Sequence, residues 1–247
     1  MGSALYDRIG RGYTATRRPD PRIAALIQDS LGDARSVLNV GAGAGAYEPA
    51  GRSLIAVEPS RHMIQQRATG APPAVQAFAE ALPFTAQAFD AALAVLTLHH
   101  WHDWRLGLRE MRRVADKVVV FTFDTSDARR FWLTEAYFPE IAALDQRRCP
   151  PVAEIADELG SCRVETVAVP CDCVDGFLAA YWRRPEAYLD PAVRAGMSGF
   201  AALGGDVIAP GVARLDADLK SGVWDSRFGH LRSIDALDAG YRLLVAS

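Results

Sequence analysis

One stretch constrains the fold more than any other. The apolar run Val37-Leu38-Asn39-Val40 passes directly into Gly41-Ala42-Gly43-Ala44-Gly45-Ala46. A short run without polar alternation reads as a strand buried on both faces. The alternating glycines let the backbone turn sharply and let a ligand lie against main chain. The loop is expected to open a helix, whose N-terminus would favour anionic or hydrogen-bond-accepting groups.

The rest of the chain repeats the alternation. Further strands are expected at Ser53–Glu58, Ala74–Ala79, Phe89–Leu98, Lys117–Asp124, Arg163–Val169 and Tyr241–Ala246. Helices fall between them. Asp20-Pro21 is a cap followed by a first-turn proline, and Ile23, Leu26, Ile27 and Leu31 recur at helical spacing up to Gly32. Ser60 caps a helix running to about Arg67. Asp103 caps another that carries Trp104, Leu108, Met111 and Ala115 on one face. Pro151–Leu159 is a further helix. Strands and helices alternating in this way define an α/β fold, a mostly parallel sheet with helices on both faces.

Two aromatic-rich segments exceed a minimal fold of this kind: 125–150, which contains FWLTEAYFP, and 170–240, which reads as helical with Gly and Pro breaks. A long insertion at one edge of a sheet is expected to form a cap. The organisation expected is therefore a core of residues 1–170 and 241–247, with 125–150 contributing to the cap and 171–240 forming it.

The ligand of the glycine loop has two readings. Gly41, Gly43 and Ala46 satisfy the dinucleotide pattern G-x-G-x-x-G/A, whereas Gly41, Gly43 and Gly45 satisfy the G-x-G-x-G of S-adenosylmethionine (SAM) enzymes. Glu58, ending the second strand, suits a ribose diol under either reading. Five linked motifs carry a resemblance: Tyr13 with Arg17-Arg18-Pro19, VLNVGAGAG (Val37–Gly45), AVEPSRHM (Ala56–Met63), AEALPF (Ala79–Phe84) and LTLHHWHD (Leu96–Asp103). In these the chain resembles the class I SAM-dependent methyltransferases, small-molecule type, similar to the ubiquinone and menaquinone biosynthesis enzymes. The resemblance covers about Tyr6 to Asp124. It implies a Rossmann-like sheet of seven strands with the helical cap between the sixth and seventh. It also implies a last strand that runs antiparallel between the fifth and sixth.

The resemblance also implies roles. Gly41, Ala42 and Gly43 hold the methionine end of SAM, with Asn39 and Val40 beneath. Glu58, followed by Pro59, takes the ribose, and Met63 packs on the adenine. The backbone of Ala79 and Glu80 reaches the adenine edge. Tyr13 and Arg18 close over the methionine carboxylate. Leu96 and Thr97 lie where the methyl emerges. One departure stands out: the family often has Asp, an acceptor for the adenine amino group, where this chain has Phe78.

The stretch TLHHWHDW gathers three of the five histidines. Adjacent ligands usually diverge, and no partner cluster with metal spacing is visible, so no metal is expected. His99, His100 and Trp101 are read as wall of the acceptor pocket, with His100 the candidate general base if the acceptor must lose a proton. Trp132, Asp175, Tyr181 and Trp182, from the two insertions, complete the expected acceptor set.

Net charge is -3 with no basic block, so nucleic-acid and anionic-membrane partners are not expected. No apolar run reaches the ~20 residues that span a bilayer. Without a visible signal peptide or disulfide pattern, a cytoplasmic protein is expected. The partner expected is a small methyl acceptor. SAM cyclisation within the same fold, a catalytically silent SAM-binding module and an NAD-dependent dehydrogenase are the competing readings. The last gives AEALPF and LTLHHW no role.

Overall fold

The structure, a computed structural model, describes residues 17–126 and 131–247. Tyr13 lies outside the described residues.

Helix α1 spans Pro21–Ser30, with the Asp20 carboxylate accepting from the Arg22 N–H, and buries Ile23 and Ile27. Gly32, just past its end, has φ +59°, the left-handed conformation that glycine adopts most easily. Five parallel strands follow: β1 (Ser36–Val40), β2 (Ser53–Val57), β3 (Ala74–Val75), β4 (Phe89–Val95) and β5 (Ala115–Phe123). Helices α2 (Arg61–Gln65) and α3 (Trp104–Val114) lie among them. Both are capped as the sequence predicts: Ser60 accepts from the Met63 N–H, and Asp103 from the Leu106 N–H. The chain then forms α4 (Trp132–Ala136), α5 (Pro139–Arg148), α6 (Val152–Leu159), β6 (Cys162–Thr166) and β7 (Val169–Pro170). Short helices follow, including α7 (Pro191–Ala195), α8 (Ser198–Ala201), α9 (Gly205–Ser221) and α10 (Val223–Phe228), before β8 (Ala236–Leu237) and β9 (Tyr241–Ala246).

The seven-stranded sheet has the order β3-β2-β1-β4-β5-β9-β6, and β9 is antiparallel to both neighbours, as the resemblance implies. One apolar core includes α3 and α6 residues against one sheet face. The other begins with Ile23 and Ile27 of α1, includes Phe121 and Tyr241 of the sheet, and continues through Trp132, Trp182, Tyr188 and Trp224 of the inserted segments. A β7·β8 pair, which periodicity did not reveal, brings the two ends of the 171–235 stretch together.

Three expectations change. The glycine loop does not open a helix: residues 41–50 are turns and irregular chain. Gly41, Gly43, Gly45 and Tyr47 have φ of +72°, +53°, +98° and +61°, incompatible with a right-handed helix. Tyr47 is held there by distant partners, its hydroxyl donating to Asp175 at 2.8 Å and accepting from the Asp20 N–H at 3.2 Å. The fourth strand ends at Val95 rather than Leu98, because Leu96 takes φ +49° and Leu98–His100 form a 3-10 turn. The third strand shrinks to Ala74–Val75, leaving the AEALPF segment outside the sheet.

Candidate active site

A cavity of about 330 Å³ opens at the carboxyl ends of β1, β2 and β4. Ligands of open α/β sheets bind at that end. Asn39, Gly41, Ala42, Gly43, Glu58, Pro59, Met63, Ala79, Glu80, Leu96, Thr97, His100 and Trp101 all line it. Residues predicted from four separate motifs thus meet in one space. Val40 is fully buried in the sheet core beneath the loop.

Glycine is required at position 41 by space as well as conformation. A Cβ there would sit 2.1 Å from Thr97 Oγ1, so the β4 end closes directly on the glycine loop. Glu58 fixes the loop from the other side. Its Oε2 accepts from the Gly43 N–H at 2.8 Å and its Oε1 from the Ser60 N–H at 2.9 Å. Burial raises the Glu58 pKa, and those two N–H groups and Arg67 oppose the rise. Glu48 accepts from Asn39 Nδ2 and pairs with Arg67 at 2.9 Å, both side chains nearly buried. This pair lies outside the recognised motifs. Met63 lies under the loop, its Cε 3.4 Å from where a Gly43 Cβ would be.

Among the described residues, Asn39 Oδ1 and both polar atoms of the Gln66 amide are buried at this cavity without a hydrogen-bond partner. Orphaned polar atoms on a cavity wall await a polar ligand. SAM carries an ammonium, a carboxylate and a ribose diol, so the residues present fit it. At the far rim Phe78 is half exposed and packs edge-on against His102. Glu80 Oε1 accepts from the His102 and Asp103 N–H groups at 2.7 and 3.1 Å. Its carboxylate therefore ties the AEALPF segment to the loop after β4. Trp101 rests on Gly107 of α3, where a Cβ would come within 2.4 Å of the indole.

The arginine expected over the methionine carboxylate does not line this cavity. Arg18 is exposed and lines neither this cavity nor the smaller one beside it. Arg17 lines both, and its Nε donates to Asp175 Oδ1 at 2.7 Å. Asp175, only 1% exposed, also accepts from the Arg18 and Gly176 N–H groups and from the Tyr47 hydroxyl. A carboxylate so fully engaged holds Arg17 in place and has little capacity left for an acceptor.

A second, smaller cavity of about 90 Å³ adjoins the first, and the two share Arg17 and Leu96. The 3-10 turn divides them. His100 lines the larger cavity and His99 the smaller, with ring centroids 3.8 Å apart. Burial lowers the His99 pKa to about 4, helped by Arg148 and Arg17. Burial also lowers His100 well below its ordinary value, with His99 and Arg148 adding to the fall. Both imidazoles are neutral near pH 7. The fall in its pKa makes His100 a weaker proton acceptor than an ordinary imidazole. Phe123, Phe131, Phe177 and Tyr241 give the smaller cavity its apolar wall.

Like Asp175, three further expected acceptor residues lie outside both cavities. Trp132 and Trp182 are buried in the core of the inserted segments: Trp132 Nε1 donates to the Trp182 carbonyl at 2.9 Å, and Trp182 Nε1 to the Val169 carbonyl at 2.9 Å. Tyr181 packs against Tyr188 and carries the Arg184 guanidinium 4.7 Å from its ring centre. None of the three lines either cavity. Sequence could show aromatic clustering but not which rings face inward. Among the described residues no group of three His, Cys, Asp or Glu could hold a metal.

Fold and site together define a class I SAM-dependent methyltransferase. A methyltransferase domain family matches residues 38–122. A solved structure from Anabaena variabilis ATCC 29413, described as a methyltransferase of an antibiotic biosynthesis pathway, is 33% identical, with a TM-score of 0.87. That match covers 94% of this chain and 99% of the other. The chain belongs to the SAM-dependent methyltransferase family. The Bacillus subtilis methyltransferase YcgJ is 31% identical over 121 residues, 44% of each chain. Its crystal structure shares the fold, with a TM-score of 0.55 at 16% identity over 91% of this chain and 97% of that one. The Escherichia coli protein YafE is 46% identical over 39 residues, 16% of this chain and 19% of that protein. These sequence matches cover less than half the length of the curated relatives. These matches support the class, not the narrower likeness to quinone-biosynthesis enzymes.

Proposed function

We propose that the protein transfers the methyl group of SAM to a small, partly aromatic or apolar metabolite. The observation that carries this reading is the pair of cavities meeting at Leu96 and Arg17. The larger presents the cofactor motifs, and the smaller, apolar one adjoins it where the β4 end carries the methyl in this family.

SAM supplies an electrophilic methyl group when bound. The chain supplies position. Asn39 Oδ1, a buried acceptor, suits the ammonium, and Glu58 suits the ribose diol. Met63 and the 78–80 segment flank the adenine. Arg17, clamped by Asp175, guards the passage between the cavities. Excluding water and aligning donor with acceptor can lower such a barrier by about 7–11 kcal/mol. Residues 125–150 and 171–240 act as the cap on the acceptor side, since Phe131, Phe177 and Leu178 line the smaller cavity.

A small acceptor also suits the pathway in which the Anabaena relative is described. No helix among the described residues is long and apolar enough to cross a membrane. The cysteines at 149, 162, 171 and 173 are free thiols, which suits a cytoplasmic setting.

The decisive test incubates the protein with methyl-labelled SAM and a metabolite extract and follows the label by mass spectrometry. Labelled product with release of S-adenosylhomocysteine is expected. SAM consumption without S-adenosylhomocysteine would point to cyclisation, and binding without turnover to a silent module.

A further inference from the structure

The smaller cavity holds a carboxylate that neither the family motifs nor the sequence reading assigns. Asp145 lies on α5, in the 125–150 insertion, and lines the cavity. Helix α5 also packs on the 3-10 turn of His99 and His100. Among the described residues Asp145 forms no ion pair and its carboxylate accepts no hydrogen bond. A half-buried carboxylate at a cavity wall without a protein partner is open to a hydrogen-bond donor from a ligand. His99 Nδ1, at the same cavity, is buried without a partner among the described residues. Two unpartnered hydrogen-bonding groups therefore line a space whose wall also holds Phe123, Phe131, Phe177 and Tyr241.

We propose that the smaller cavity receives the hydroxyl-bearing end of the methyl acceptor and that Asp145 hydrogen-bonds this hydroxyl and takes its proton as the oxygen is methylated. The proposal rests on the methyl-transfer reading and names the acceptor class for it. The bookkeeping of atoms closes. An oxygen lone pair forms the new O–C bond, and the C–S bond of SAM breaks with its pair passing to sulfur. The hydroxyl proton passes to the Asp145 carboxylate. The cavity is smaller than the roughly 150 Å³ that encloses a benzene ring. The acceptor thus enters by its hydroxyl end, which lies on the Leu96 side that the two cavities share, where the methyl can reach it.

The ionisation of Asp145 suits the task. Burial raises its pKa from 3.8 to about 7, and Arg148 opposes the rise. A proton acceptor works best when its pKa lies near the working pH. Among the described residues, the other titratable and charged groups around it are Arg148 and Cys149 on or next to its own helix, Arg17, His99, Asp124 and Tyr241. Of these, His99 is held neutral, while burial raises Cys149 and Tyr241 so that both stay protonated. Arg17 is paired with Asp175, and Asp124 accepts from Ser126.

The test titrates phenol, anisole and benzylamine into protein saturated with S-adenosylhomocysteine, followed by calorimetry. Wild type is expected to bind phenol about tenfold or more tightly than anisole, the scale of a hydrogen bond to a charged group. Asp145→Asn is expected to lose that discrimination while binding S-adenosylhomocysteine as wild type does. Equal binding of phenol and anisole by wild type overturns the proposal, as does discrimination kept by Asp145→Asn. Absence of phenol binding, or preference for benzylamine, overturns the hydroxyl class. Should the variant not fold, the wild-type pH series decides: phenol affinity must rise from about pH 6 to pH 8 as Asp145 ionises, and a flat profile overturns the proposal. Failure of wild type to bind S-adenosylhomocysteine sinks the methyl-transfer reading itself, a separate result.

Discussion

His99 and His100 stand side by side with ring centroids 3.8 Å apart, yet each faces a different cavity. Strand geometry would send neighbours to opposite faces of the sheet, but these two leave a 3-10 turn and form the partition between two spaces. Burial keeps both rings neutral. In a nitrogen-detected imidazole titration, neither should gain a proton between pH 8 and about pH 6, because His99 titrates near 4 and His100 lies well below its ordinary value. A transition near pH 6.5 in either ring would show that the partition is hydrated and would return His100 to the list of bases.

Glu58 closes the glycine loop and faces the cofactor cavity. Glu58→Ala should weaken S-adenosylhomocysteine binding by about 1–3 kcal/mol, the scale of hydrogen bonds to a charged group together with loss of the loop contact. Calorimetry reads this directly. An unchanged affinity would remove Glu58 from the ribose site.

Adjacent arginines should behave very differently. Arg17→Ala strips a buried carboxylate of its cation and should cost roughly 3–5 kcal/mol of stability. Arg18→Ala removes an exposed side chain and should cost no more than about 0.5 kcal/mol. Urea unfolding of the two variants separates them, and equal losses would contradict the Arg17–Asp175 pairing.

Gly107→Ala sets two effects against each other. Alanine favours the helix by about 1 kcal/mol. The new methyl displaces the Trp101 indole, at a cost of about 1–3 kcal/mol. Net stability should fall modestly, by no more than about 2 kcal/mol. Because Trp101 lines the cofactor cavity, S-adenosylhomocysteine affinity should fall too, with a change in tryptophan fluorescence. A variant that keeps full affinity would show that Trp101 does not shape the site.

Asp145 makes stability depend on pH. Its folded pKa, about 7, lies above the ordinary 3.8, so the folded state holds the proton more tightly. That contribution is complete below about pH 4 and is lost as pH rises through 7. Asp145→Asn cannot lose it. Relative to wild type, the variant should therefore gain roughly 2–4 kcal/mol of stability between about pH 5 and pH 8. Denaturant unfolding across that range measures the difference, and parallel profiles would place the carboxyl in water.

Much of this arrangement is local and so was readable along the chain. Apolar runs set the strands, and caps at Asp20, Ser60 and Asp103 set helix starts, because such signals act within a few residues. Gly41, Glu58 and Thr97 could be assigned to one site because an open parallel sheet brings its strand ends together. The remainder depended on contacts across long separations. The helix expected after Gly45 is absent because Tyr47 is pinned by Asp175 and Asp20. Arg17 rather than Arg18 reaches the site for the same reason, since Asp175 selects it from 158 residues away. Trp132 and Trp182 satisfy their N–H groups inside the inserted core, whereas Asp145 is left facing a cavity. Composition and periodicity can say that a side chain is apolar or charged. Which space it faces is decided only when the segments pack, because burial and hydrogen-bond satisfaction belong to the assembled fold.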